Sequence, residues 1–260
     1  MMQCAPMPKQ WTENFEFYEA RATKGRALVS LDLGAAEHAP LESHPIRVQF
    51  RVKMLQPRED GLRSAEEAET LFALEDKLVA AAQSKLDALY VARAVAYGYS
   101  EFYFYVPASQ LESAAGVLWD SKPYAFEWHV EADPDWERYE QLFPDKFSYQ
   151  HMMNRRVLQQ LEAAGDDLSR AREVDHVAFF PGEAQVKAAA EALTKAEFRV
   201  DAPTKPEGDE DMWSLQFHRD DSLANGEADE LVDEVLELLE PHEGDYDGWG
   251  CAVQKKELMN

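Results

Sequence analysis

One pattern constrains the fold more than any other: the order strand, helix, strand, strand, helix, strand occurs twice along the chain. In its first occurrence Ile46, Val48, Phe50, Val52 and Met54 alternate with Arg47, Gln49, Arg51 and Lys53, the period of a strand with one buried face. Ser64-Ala65-Glu66-Glu67 reads as a capping box opening a helix to about residue 86, with Leu71, Leu74 and Leu78 at helical spacing. Residues 89–97 and 101–106 read as strands turned by Gly98-Tyr99-Ser100. Ser109-Gln110-Leu111-Glu112 opens a second helix, and 124–130 alternates as the last strand. Two further strands, 15–20 and 27–33, precede this order.

The second occurrence follows a short helix ended by Pro144. A helix over 152–164, stopped by Gly165, leads into strand 174–180, helix 183–196 and strands 198–202 and 212–218. Leu231, Val232, Val235, Leu238 and Leu239 then recur at helical spacing, and a last strand covers 246–253. The expectation is an α+β chain of two tandem ferredoxin-like plaits, antiparallel sheets with helices on one face, and extra N-terminal strands in the first. The expected domains are 1–145 and 146–260.

Charge decides the class of partner. The chain holds 26 Lys and Arg against 50 Asp and Glu, a net charge of −24. A phosphate backbone is repelled by such a field, because nucleic-acid affinity comes largely from Lys and Arg displacing counterions. Direct nucleic-acid binding is therefore not expected; a basic protein segment is the complementary partner. The acids concentrate in 207–247, with sixteen carboxylates against the single base Arg219. On the helix within this stretch, Asp229/Asp233, Glu230/Glu234 and Asp233/Glu237 are like-charge pairs four residues apart. Such a helix reads as a solvated outer face or as a docking face for Arg- or Lys-rich segments.

The sequence lacks the phosphate loop, dinucleotide fingerprint, nucleophile elbow and zinc-protease motifs. No apolar run is long enough for a membrane span, Met1 to Trp11 lacks the apolar stretch expected of a signal peptide, and Cys4 and Cys251 are the only cysteines. A cytoplasmic protein with no cofactor and no membrane partner is expected. Asp175-His176 reads as a packed strand pair, with a weak metal-dependent hydrolase site as the alternative. The aromatic run Phe102-Tyr103-Phe104-Tyr105 reads as sheet packing. In Asp245-Tyr246-Asp247-Gly248-Trp249-Gly250 the glycines suit a bulged final strand. Trp249 there either covers the sheet or anchors a recognition patch.

The second half resembles the RraB-type inhibitors, regulators of ribonuclease E activity. The resemblance rests on Asn154 through Leu161, Gly165-Asp166-Asp167, Val174-Asp175-His176, Phe198-Arg199-Val200 and above all Asp245 through Gly250. It implies a non-enzymatic adaptor that binds the Arg-rich, non-catalytic part of ribonuclease E and slows RNA turnover. The first half is similar to an uncharacterised bacterial domain family often fused to this one, through Leu71 to Leu78, Gly98 to Tyr105, Asp133-Pro134-Asp135-Trp136-Glu137 and Tyr139.

Together these readings give an acidic regulator that binds a basic protein segment and inhibits or remodels an RNA-processing enzyme. An immunity-like or phosphate-mimicking inhibitor of another nucleic-acid enzyme is the alternative among binding proteins. The candidate partner-binding residues are Glu207, Asp209, Glu210, Asp211, Asp229, Asp233, Glu237, Asp245, Tyr246, Asp247 and Trp249.

Overall fold

The computed structural model describes residues 11–22, 25–116, 122–205 and 212–255. Glu207, Asp209, Glu210, Asp211 and Cys4 lie outside the described residues. The chain divides into two compact units, Met1–Pro144 and Asp145–Asn260. Each contains an antiparallel sheet with helices, an α+β architecture.

In the first unit, strands β1 (Phe15–Ala22), β2 (Gly25–Asp32), β3 (Ile46–Lys53), β4 (Leu89–Ala96), β5 (Tyr99–Val106) and β6 (Phe126–Ala132) form one sheet in the order β1-β2-β4-β5-β3-β6. Helix α1 (Ala65–Leu86) separates β3 from β4, and α2 (Leu111–Gly116) separates β5 from β6. The order of β4, β5, β3 and β6 is consistent with a ferredoxin-like arrangement, and β1–β2 extends the sheet at the β4 edge. Val48, Phe50, Phe102 and Phe104 meet Leu71, Leu78, Ala82 and Leu86 of α1 in the core, because a strand turns alternate side chains to one face while α1 presents one stripe.

Three details differ from the sequence expectation. First, the helices are not confined to one face: Tyr103 and Tyr105 point away from α1 and are buried under Trp136, Tyr139 and Leu142, the last two within or just after α3 (Glu137–Glu140). Trp136 stacks on Tyr105 at 4.0 Å and donates its indole N–H to His44 O. Asp133 holds this cover in place, accepting from Tyr105 Oη at 2.6 Å and from the backbone N–H of Glu137 and Arg138. Second, the capping box is not formed. Glu67 instead accepts the backbone N–H groups of Leu55 and Gln56, tying α1 to the chain leaving β3. Third, the β4–β5 turn is the two residues Tyr97-Gly98, both at positive φ (53° and 82°), rather than Gly98-Tyr99-Ser100; this geometry matches the twist of the flanking strands.

In the second unit, α4 (Lys146–Ala163) opens at Asp145, whose carboxylate caps Ser148 N–H at 2.8 Å. There follow β7 (Arg172–Phe180), α5 (Glu183–Lys195), β8 (Arg199–Val200), β9 (Trp213–Asp221), α6 (Glu227–Leu239) and β10 (Asp245–Cys251). The sheet order is β10-β7-β9-β8, again consistent with a ferredoxin-like arrangement. Val174, Ala178, Phe180, Leu215 and Phe217 of the sheet pack on Val186, Leu193, Val232, Val235 and Leu239 of the helices. Among the described residues, no helix is long and apolar enough to cross a membrane.

Candidate partner-docking surface

The Asp245 to Gly250 segment owes its shape to Gly248, at φ +136°. The register of β10 on β7 shifts between Tyr246 and Gly248, so Tyr246 lies opposite Ala178 and Trp249 opposite His176. A regular strand would send residues three apart to opposite faces; the bulge returns both aromatics to the helix-covered face. Both are then tied inward. Trp249 Nε1 donates to Asn154 Oδ1 at 2.7 Å, the Tyr246 hydroxyl bonds His176 Nδ1 at 2.8 Å, and Gln150 donates to Tyr246 O. Burial, reinforced by the Asp247 charge, pushes the Tyr246 phenol well above its usual pKa. Tyr246 is buried and Trp249 half-buried, whereas Asp245 and Asp247 are exposed.

The acids of α6 have more partners than its own sequence suggests. Asp229 accepts from Asn154 Nδ2 at 2.8 Å, and Asp233 accepts from His151 Nε2 at 2.6 Å, both across the contact with α4. Glu234 receives both Arg219 Nη1 and Nη2 at 3.1 and 2.8 Å, and Asp221 receives Arg219 Nε. These hydrogen bonds, led by that of Glu234, hold the guanidinium further above its ordinary pKa. Glu230 and Glu237 stay exposed. The like charges four residues apart on this helix thus meet partners remote in sequence, an amide and an imidazole from α4 and the guanidinium of Arg219 on β9.

Beside the start of α6 lies an open cleft of about 220 Å³, lined by Asp221, Glu227, Glu230 and Glu234 around Arg219 and Leu231. It carries more carboxylates than cations. Asp245, opposite Phe179, lies across the sheet from α6, whose apolar residues cover the face of Val174 and Ala178. The candidate residues do not converge: Glu237 is exposed on α6, Asp229 and Asp233 face α4, and Asp245 belongs to the other sheet face.

The Asp175-His176 pair does not form a catalytic couple, because consecutive strand residues point to opposite faces. Asp175 is exposed, while His176 is fully buried, stacked on Phe217 with ring centres 5.1 Å apart. Desolvation, with smaller contributions from Arg219 and His218, lowers its pKa to about 3. It is a neutral core histidine near neutral pH. Among the described residues, no group of three or more His, Cys, Asp or Glu side chains is arranged to hold a metal ion.

One arrangement had no signal in strand or helix periodicity. Asp166 and Arg172, both with almost no exposed side chain, form an ion pair in which Arg172 Nη1 meets both carboxylate oxygens, at 2.7 and 2.6 Å. Arg172 also donates to the Arg170 and Asp167 carbonyls, and Asp166 accepts Gln254 N–H at 2.6 Å. The Gly165-Asp166-Asp167 turn thereby fastens the segment following β10, which pairs at Asp166 with Lys255. The adjacency of Gly165 and two aspartates was the available clue.

Residues 151–251 match the family described as Regulator of ribonuclease activity B, and residues 13–143 match the family of unknown function DUF695. No curated protein matches the chain. Among solved structures, the crystal structure of an unknown protein from Galdieria sulphuraria is similar at 12% identity, covering 81% of this chain and 99% of that one, with a TM-score of 0.23. Through residues 13–143 the chain belongs to the family of unknown function DUF695, and its C-terminal part carries the match to Regulator of ribonuclease activity B.

Proposed function

We propose that the second unit is a non-catalytic docking module that acts in the cytoplasm on an RNA-processing enzyme of the ribonuclease E kind. It binds a basic segment of that enzyme and lowers its activity by occupying Arg and Lys side chains that would otherwise hold RNA. The match of residues 151–251 to a family of ribonuclease regulators carries this reading. Its chemical mode follows from the acid excess. Glu230, which lines the carboxylate-rich cleft, and Glu237, further along α6, offer charges that a guanidinium can reach without dismantling α4 or β9. Asp245 and Asp247 offer a second, separate acidic edge, and Tyr246 and Trp249 serve from beneath by holding that edge in place.

The test is binding of the Arg-rich, non-catalytic segment of ribonuclease E to the full chain, followed by stopped-flow fluorescence. Association should slow steeply as salt rises from 0.01 to 0.15 M, because the Debye length shrinks from roughly 30 Å to 8 Å. The double variant Glu230→Lys/Glu237→Lys should slow association at low salt by tenfold or more, with a smaller effect from Asp245→Lys/Asp247→Lys. An association rate indifferent to salt and to both double variants overturns the proposed docking mode.

A further inference from the structure

A small cleft of about 160 Å³ lies in the first unit, on the α1 side of the sheet, where β1 and β2 extend it. Phe17 and Leu28 of that extension, Val95 of β4 and Phe72 of α1 form its apolar walls, and Arg63 and Arg93 line it with them. Phe17 and Phe72 are about half exposed (52% and 47%) although the cleft places them beside each other's apolar surface.

Arg63 is the unusual member. Its Nε and Nη2 are buried and make no hydrogen bond, and its guanidinium carbon sits 4.4 Å from the centre of the Phe72 ring. The neighbouring carboxylates bond elsewhere. Glu75 accepts from Arg93 Nη1 and from the Tyr90 hydroxyl, and Glu67 accepts the Leu55 and Gln56 N–H groups. Arg93 also faces Phe72, at 5.4 Å, and repels Arg63. Burial first, and the Arg93 charge second, pull the Arg63 pKa below its ordinary value. A guanidinium stays charged under any ordinary condition, and a buried donor without a partner costs roughly 1–3 kcal/mol, more when it is charged. Folded proteins seldom leave such a group unsatisfied without a reason.

We propose that this cleft binds a small monocarboxylate carried on an apolar body, an aryl or short alkyl acid. A carboxylate supplies the planar pair of acceptors that fits an arginine fork. The apolar body follows from two facts: the walls are aromatic and aliphatic, and a protein of net charge −24 does not gather anions by its general field. Burial of the ligand's body against Phe17 and Phe72 supplies the attraction that charge alone does not. The volume limits the ligand to about the size of a single ring with a short side arm.

The experiment uses the full chain, 15N-labelled, titrated with phenylacetate and with the neutral isostere phenylacetamide. Phenylacetate should saturate with shifts centred on Arg63, Phe72 and Arg93, and phenylacetamide should bind at least tenfold more weakly. Arg63→Met should weaken phenylacetate tenfold or more while leaving the thermal midpoint unchanged or higher, because it removes two buried N–H donors that make no hydrogen bond. Arg58→Met, at an exposed pair with Asp60, should leave binding unchanged. If Arg63→Met does not fold, Arg63→Lys and the wild-type comparison of the two ligands still decide. Equal binding of acid and amide, shifts that avoid the cleft, or an equal loss in Arg58→Met overturns the proposal.

Discussion

Asn154 joins Trp249 to the acidic helix: its Oδ1 accepts the indole N–H at 2.7 Å while its Nδ2 donates to Asp229 at 2.8 Å. One buried amide on α4 thus fixes both the last strand and the start of α6. Asn154→Ala leaves the Trp249 donor and the Asp229 acceptor without this partner. The expected loss is roughly 1–3 kcal/mol, read from urea denaturation. An unchanged midpoint would show that the indole and the carboxylate find equivalent partners in water.

Asp166→Asn keeps the shape of the side chain but removes the charge opposite buried Arg172. Breaking a buried pair by neutralising one partner costs about 3–5 kcal/mol. Denaturation should register this, and amide exchange should accelerate at Gln254, whose N–H is held by the same carboxylate.

The stability of the second unit should depend on pH through His176. Its folded pKa is depressed to about 3 against an ordinary 6.5, so between these values the unfolded chain binds a proton that the folded chain does not. Stability therefore falls as pH drops below about 6.5, approaching roughly 1.4 kcal/mol per pH unit. His176→Gln should show a shallower loss between pH 6 and 5, where wild type and variant can be compared by denaturant midpoint.

Two acids of α6 should respond unequally. Asp233→Lys sets a cation against His151 and breaks a half-buried contact, so it should destabilise by up to about 1 kcal/mol. Glu237→Lys, at an exposed site, should change stability by no more than about 0.5 kcal/mol. Equal effects in thermal melts would mean that the His151 contact contributes nothing.

Residues 145–260, expressed alone, should unfold in a single cooperative transition, because their sheet, helices and core are complete within that span. A fragment with native helix content but no cooperative melt would contradict independent folding.

The sequence by itself determined the strands and helices wherever one side of an element had to be buried. Alternation in Ile46 to Val52 and the 3–4 spacing in Leu231 to Leu239 are local consequences of backbone geometry, and they are read without knowing any partner. It also determined the bulge, since only a glycine takes the φ of Gly248 without strain. Tertiary structure decided what the polar side chains do. Glu67 has the spacing of a capping residue yet is recruited by the chain beyond β3; Asp229 and Asp233 look like repelling neighbours yet bond to Asn154 and His151, about eighty residues away. Arg63 looks like an ordinary surface arginine, and only folding buries its donors beside Phe72. Hydrophobic periodicity is a property of one element, whereas an ion pair or an unpaired charge is a property of two or more elements brought together, so it is written only in the folded arrangement.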